Sequence, residues 1–227
     1  MPRLWGSMTV MASVTRARGR PSADDPSTLS TDALLDAALD MFADHGFEGT
    51  SVRELARALG VSHNLIPQRI GTKEELWFRA IDRGFTALAL ELGQAASELD
   101  EGADDVSRLR ALCVRFVEAN ATRPALLRVL QQEATTPGPR FEHIWTRFLD
   151  PMRLFGEELL GRLYRENKVR TMSVGIMYFL MTHGACGPMA LPGLAERFGA
   201  PIDPSDSVAV HRHATDVTDL MFQGFVV

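Results

Sequence analysis

An all-α protein is what this sequence predicts, with a small amino-terminal helical unit followed by a larger helical body. Three observations predict it. Apolar residues recur at spacings of three and four, and no stretch alternates with the period of two that marks a half-buried strand. Gly and Pro fall between these stretches, where helices need stops and starts. Between residues 51 and 70, two short helical segments are joined by the break Gly60-Val61-Ser62, the arrangement that gives a rod narrow enough for a DNA major groove.

The elements follow in chain order. Residues 1–29 read as a disordered basic arm: positions 1–21 contain no acid and carry Arg3, Arg16, Arg18 and Arg20, before Asp24 and Asp25 reverse the sign. Arg18-Gly19-Arg20-Pro21 is similar to the core of AT-hook motifs, and arginine arms favour the narrow, negative minor groove. A plain solvated tail is the alternative. The apolar piece Met8 to Val14 is too short and too interrupted, by Thr9 and Ser13, for a secretory signal.

Leu35, Ala38, Leu39 and Phe42 share one helix face, and Gly46 supplies a residue free to take positive φ and end it. Thr50 or Ser51 caps the next helix, with Ser51 and Glu54 spaced as a capping box; Val52, Leu55, Ala56 and Leu59 form its stripe and Gly60 closes it. Pro67 decides where the following helix starts. In a second turn it would cost about 3 kcal/mol through a lost bond and a clash, whereas in a first turn it costs little. The second placement, with a start near Asn64, is the expected one. Thr72 with Glu75 makes another capping box and opens a helix bearing Leu76, Phe78 and Ile81. From spacing alone, a three- or four-helix bundle that touches no nucleic acid fits equally well.

Beyond residue 80 the expected elements are a helix running on toward Leu99, an acidic loop at 100–105, and a helix at 106–121 with Leu109, Leu112, Cys113, Phe116 and Val117 inward. Thr122 and Pro124 start another, which stops before Pro137-Gly138-Pro139. One long helix from Arg140 to Asn167, bent at Pro151, comes next. Two last helices, about 171–187 and 205–225, are separated by the Pro/Gly segment around Leu191 to Pro204.

Several residue runs carry a family resemblance. They are Ala37-Ala38-Leu39 with Phe42, His45-Gly46-Phe47-Glu48-Gly49-Thr50-Ser51-Val52, Glu54-Leu55-Ala56, Ala58-Leu59-Gly60-Val61-Ser62 and Thr72-Lys73-Glu74-Glu75-Leu76. This stretch of about fifty residues resembles the amino-terminal domain of the tetracycline-repressor-like (TetR) transcriptional regulators. The rest of the chain resembles the family in length, helicity and order only. One departure stands out: Ile66-Pro67-Gln68-Arg69-Ile70 replaces the aromatic-rich turn common in the family. The resemblance implies a helix-turn-helix DNA-binding domain at 30–78 and a helical effector-binding and dimerisation domain at 79–227.

Residue chemistry then names candidates. Ser62, His63, Asn64 and Gln68 offer hydrogen-bonding tips, with Asn and Gln suited to adenine; Arg69 suits guanine or a phosphate, and Leu65 a thymine methyl. Thr50, Ser51 and Lys73 resemble the family's phosphate contacts at helix starts. The family holds small, often lipophilic effectors among its middle helices. The candidates for that pocket are Phe116, Leu127, Leu130, Phe141, Trp145, Met152, Phe155, Met177 and Met181, with Glu133, His143 and Tyr178 as polar groups. A family-like dimer interface of paired terminal helices would use Met172, Ile176, Phe179, His183 and Cys186, together with Val210, Ala214, Val217, Met221 and Phe225. The same stripes serve an intramolecular core equally well.

Whole-chain properties set limits. The 227 residues are 45% hydrophobic, enough for a real core, and the net charge of −5 argues against a general nucleic-acid coat without excluding a specific binder. Cys113 and Cys186 imply no disulfide framework, and the apolar run Val174 to Met181 is far too short to cross a bilayer, both consistent with the cytoplasm. No cofactor or metal is expected: His211 and His213 sit two apart and point to different helix faces. No Gly-x-Ser-x-Gly elbow or phosphate loop suggests an enzyme. The function expected is a homodimeric repressor released from a palindromic operator by a small lipophilic effector. A ligand-independent or activating DNA binder, or a helical ligand-binding protein that has lost DNA binding through Pro67, are the alternatives.

Overall fold

The computed structural model describes residues 29–98 and 102–227, so all of the expected basic arm except Leu29 lies outside the described residues. Everything regular in those residues is helical; the one β feature recorded is an isolated bridge between Val169 and Val226.

Helix α1 (Thr31–Gly49) starts where the Ser30 side chain accepts the Ala33 N–H at 3.0 Å, and buries Leu34, Leu35, Ala38, Leu39, Phe42 and Ala43. Its regular turns break at Gly46, whose φ of 69° lies in the left-handed region, as the sequence predicts. Ser51 caps α2 (Val52–Ala58), accepting from Glu54 N at 3.4 Å, which is the forward half of the expected box. Gly60, at φ 65°, turns the chain out of α2 while Val61 N donates to Ala56 O at 2.9 Å. Helix α3 (Leu65–Arg69) follows, then α4 (Lys73–Ser97). The α4 capping box is complete: Glu75 N donates to Thr72 Oγ1 (3.1 Å) and Thr72 N to the Glu75 carboxylate (2.7 Å). The Thr72 N–H, and after it the Thr72 side chain, hold the Glu75 carboxyl below its ordinary pKa.

The body comprises α5 (Asp105–Thr122), α6 (Pro124–Thr135), α7 (Pro139–Ile144), α8 (Asp150–Arg165), α9 (Val174–Phe179), α10 (Gly187–Ala190), α11 (Pro192–Arg197) and α12 (Ser207–Phe225). Helix α4 packs on α1 and α5, α1 on α6, and α12 lies along α5. Because α4 runs through residues 78 and 79 without a break, the amino-terminal unit and the body share it as a strut.

The long helix expected after Arg140 is present from Pro139 to Arg165, and its irregularity is a π turn, Trp145–Leu149, rather than a simple bend at Pro151. Asp150 N–H reaches back to Trp145 O, so the ladder widens just ahead of a proline that donates nothing and crowds the carbonyl four residues earlier. The same device recurs at Leu180–Ala185, where Cys186 N donates to Met181 O at 2.9 Å shortly before Pro188. Pro192 preorganises α11 inside the segment expected only to separate the last two helices. Arg170 N donating to Phe225 O (2.8 Å) and Val227 N to Lys168 O (3.1 Å) pin the carboxyl end of α12.

Candidate nucleic-acid interface and effector cavity

Helix α3 begins after Asn64 and carries Pro67 in its first turn, where the missing N–H has no intrahelical acceptor to lose. Ile66, 0% exposed, and the buried Ile70 root it in the core beside Leu55 and Ala56 of α2. Rooting on that side turns Ser62, His63, Asn64, Gln68 and Arg69 outward together, while Leu65 is half-buried between the two sides.

The other expected DNA contacts fare differently. Thr50 is 3% exposed, and its hydroxyl lies within hydrogen-bond distance of Gly46 O (2.7 Å) and Met41 O (3.2 Å). It closes the end of α1 and offers no hydroxyl to a phosphate, which corrects the sequence expectation. Ser51 is half-buried and spends its oxygen on the α2 cap. The Lys73 ammonium donates to Glu48 O at 3.3 Å and sits 4.5 Å over the Phe47 ring. Arg69 donates to Leu29 O at 2.5 Å, which sets its guanidinium beside the start of the described chain. Arg53 and Arg57, exposed one turn apart on α2, were missed; basic residues at that spacing next to a reading segment are the signal that could have found them.

In the body, three neighbouring lobes of about 280, 500 and 730 Å³ lie among α4, α5, α6, α8 and α9, and Met152 and Tyr178 line every one of them. The volumes suit small organic ligands. Phe116, Leu127, Leu130, Phe141, Trp145, Phe155, Met177 and Met181 also line the lobes. Glu133 and His143 do not, and this is a correction. The Glu133 carboxylate is taken by Arg140 (2.9 Å), and His143 by Asp82 (2.7 Å) and the Phe78 ring. Charged or titratable groups this close to the cavity find protein partners first. Burial pushes the Tyr178 phenol and the Cys113 thiol up to about 12, so both face the lobes uncharged. Asn120, buried on the wall of the smallest lobe, was missed because a lone polar residue inside an apolar stripe has no distinctive spacing.

The residues expected at a dimer interface divide. Ile176, Phe179 and His183 are exposed and Met172 half-buried, but Cys186 is buried. On α12, Val210, Ala214 and Phe225 are buried and Val217 and Met221 half-buried, because that stripe covers α5 within the same chain. The apolar residues that α12 shows to the outside are instead Val208 and Leu220. Periodicity finds a stripe and not the surface that buries it.

Residues 34–80 match the family model for bacterial regulatory proteins of the tetR family. Over 128 residues the chain is 30% identical to the HTH-type transcriptional repressor KstR2 of Mycolicibacterium smegmatis, an alignment that covers 55% of this chain and 61% of the repressor. The fold matches that of the ketosteroid transcriptional regulator KstR2 of Mycobacterium tuberculosis with a TM-score of 0.67 at 20% identity, over 86% of this chain and 93% of that one. The amino-terminal unit is thus a tetR-family domain, and the chain shares the fold of these regulators. A second fold match is AibR, solved in complex with isovaleryl coenzyme A and operator DNA (TM-score 0.64, 23% identity, 85% of this chain and 98% of that one). The matched residues 34–80 include α2 and α3, the two helices of its helix-turn-helix unit.

Proposed function

We propose that this chain is a TetR-family regulator that works as a homodimeric repressor, occupying a two-fold operator through α3 and leaving it when a small lipophilic ligand fills the cavity in its body. The unit at 30–78 reads DNA, and the body at 79–227 holds the ligand and pairs the subunits. Ser62, His63, Asn64 and Gln68 read base edges, while Arg53 and Arg57 hold phosphates.

The observation that carries the ligand-release reading is that two helices touch both places. Helix α6 lines the cavity with Leu127 and Leu130 and clamps α1 through Arg128 to Asp44 (2.8 Å) and Gln132 Nε2 to Ala43 O (2.7 Å). Helix α7 lines it with Phe141, and the neighbouring Arg140 stacks 4.0 Å over Phe47, the ring that Lys73 covers at 4.5 Å. A ligand that spreads the lobes therefore pushes on the end of α1 and the start of α4, between which the reading helix hangs. The release can be no larger than the ligand's differential affinity for the two arrangements. AibR, of the same fold, carries an acyl-coenzyme A and operator DNA in one complex, which supports a fold able to hold both kinds of ligand.

Two-fold pairing follows from the short reading helix, since one such helix reads few bases. The exposed apolar residues Ile176, Phe179, Leu180, Val208 and Leu220 on the last helices are the surface that supports it.

Selection of bound fragments from a random duplex library tests the reading. A palindromic site with half-sites about one helical turn apart is expected; recovery of unrelated fragments would overturn it. In the same assay Gln68→Ala should relax selection at one base pair per half-site, at about 1–3 kcal/mol. Arg140→Ala should leave ligand-free operator affinity nearly unchanged but lower the ligand's effect by about 0.5–2 kcal/mol. Fluorescence anisotropy with and without ligand measures this, and an undiminished ligand effect would remove Arg140 from the coupling.

A further inference from the structure

The cavity walls are apolar, and most of their few polar atoms already have partners. Thr182 Oγ1 lies 2.8 Å from both Tyr178 O and His183 Nδ1. Arg147, at the rim of the smallest lobe, is turned to solvent and reaches Asp82 at 3.5 Å. Asn120 is different. It sits in the last turns of α5, 5% exposed, and lines the smallest lobe with Tyr178.

The Asn120 Nδ2 donates to Phe116 O at 2.8 Å, one turn back. That bond fixes the orientation of the amide, because the carbonyl end in the same place would face another carbonyl. Its Oδ1 is left without a protein donor among the described residues, and the atom is not fully enclosed, so a guest can reach it. A carbonyl oxygen on an otherwise apolar wall loses hydration when a guest fills the lobe, and is compensated only if the guest donates to it.

We propose that the cavity takes an uncharged lipophile bearing a hydrogen-bond donor, a hydroxyl above all, and that Asn120 Oδ1 accepts that hydrogen bond. This rests on the effector reading given above and narrows it. Ketones, esters and ethers bring only acceptors, which leave Oδ1 unsatisfied. Carboxylates and phosphates set a negative charge against an acceptor, and the arginines of the lining are engaged by carboxylates: Arg147 by Asp82 (3.5 Å) in the smallest lobe and Arg153 by Asp150 (2.7 Å) in the largest. Tyr178, neutral and on the same wall, complements the hydroxyl oxygen or a second polar atom of the ligand.

Two matched sets of probes test it on the full-length protein: decanol, decanoic acid and decyl methyl ether for a linear body, and naphthol, naphthoic acid and methoxynaphthalene for a ring. Affinities come from calorimetry or from displacement of a solvatochromic dye. In at least one set the alcohol should bind about tenfold more tightly than the acid and the ether. Asn120→Leu should weaken the alcohol by about tenfold and leave the ether unchanged or improved. Equal affinities within both sets, no binding of either alcohol, or an alcohol affinity indifferent to Asn120→Leu overturns the proposal. The wild-type comparison stands on its own if the variant does not fold. Operator titration run in parallel separates the two readings. Alcohol that binds without loosening the operator refutes release and leaves this site intact, whereas release by the acid or ether and not the alcohol refutes this site and leaves release intact.

Discussion

Ile66→Ala is expected to destabilise the protein by about 2–5 kcal/mol and to abolish selective operator binding. Helix α3 has five residues and no side-chain cap at Asn64, so almost none of its stability is its own. What holds it is the fully buried Ile66 side chain, with Ile70 at its far end. Truncation removes the anchor that turns Ser62, Asn64 and Gln68 outward, and the loss is one of shape rather than of any DNA contact. Gln68→Ala is the control: on the outer side of the same helix it should leave stability within about 0.5 kcal/mol. Chemical denaturation followed by operator anisotropy reads both quantities. An Ile66→Ala protein that melts like wild type and still selects the same sites would mean that α3 is positioned by something other than its buried side.

The second large effect concerns subunit pairing. Phe179 is 61% exposed and Leu220 70%, and each lies on one of the last two long helical segments. Phe179→Glu combined with Leu220→Glu should give a monomer in sedimentation. Two-fold symmetry places each new carboxylate in the interface twice, and burying an unpaired charge costs several kcal/mol. Losing the partner removes one half-site from the reading unit, so operator affinity should drop by more than about a hundredfold while the thermal transition of the monomer stays cooperative. A double variant that still sediments as a dimer would move the pairing surface elsewhere.

The architecture was readable because its signals are local. Capping residues such as Thr72 and Glu75, breakers such as Gly46 and Gly60, and three–four spacing act within a turn or two of chain. The late start of α3 was readable for the same reason, since Pro67 restricts only its own neighbourhood. What failed was whatever depended on the far side of a contact. Val210, Ala214 and Phe225 form a helical stripe whether α5 or a second subunit covers them, and only packing shows that it is α5. Thr50 carries the right chemistry for a phosphate, yet its hydroxyl is drawn to Gly46 O, four residues back across a break in the helix. Glu133 and His143 have the right polarity for a ligand, but Arg140 and Asp82 reach them first. Asn120 lay hidden among apolar neighbours, and the geometry of its one bond to Phe116 O is what exposes its free oxygen.

The paired π turns carry a mechanical consequence. Trp145–Leu149 and Leu180–Ala185 supply wall to all three lobes, through Trp145 and His183 in the largest, Met181 in the middle one, and Leu149 and Thr182 in the smallest. Each is a stretch where the rungs of the helical ladder are spaced one residue too wide, next to a proline that withholds a rung of its own. The widened rungs therefore lie at the lining, away from the long ladders of α4 and α5. In the ligand-release reading proposed above, a guest is admitted where these two short hoops yield, and α6 and α7 carry the displacement to α1.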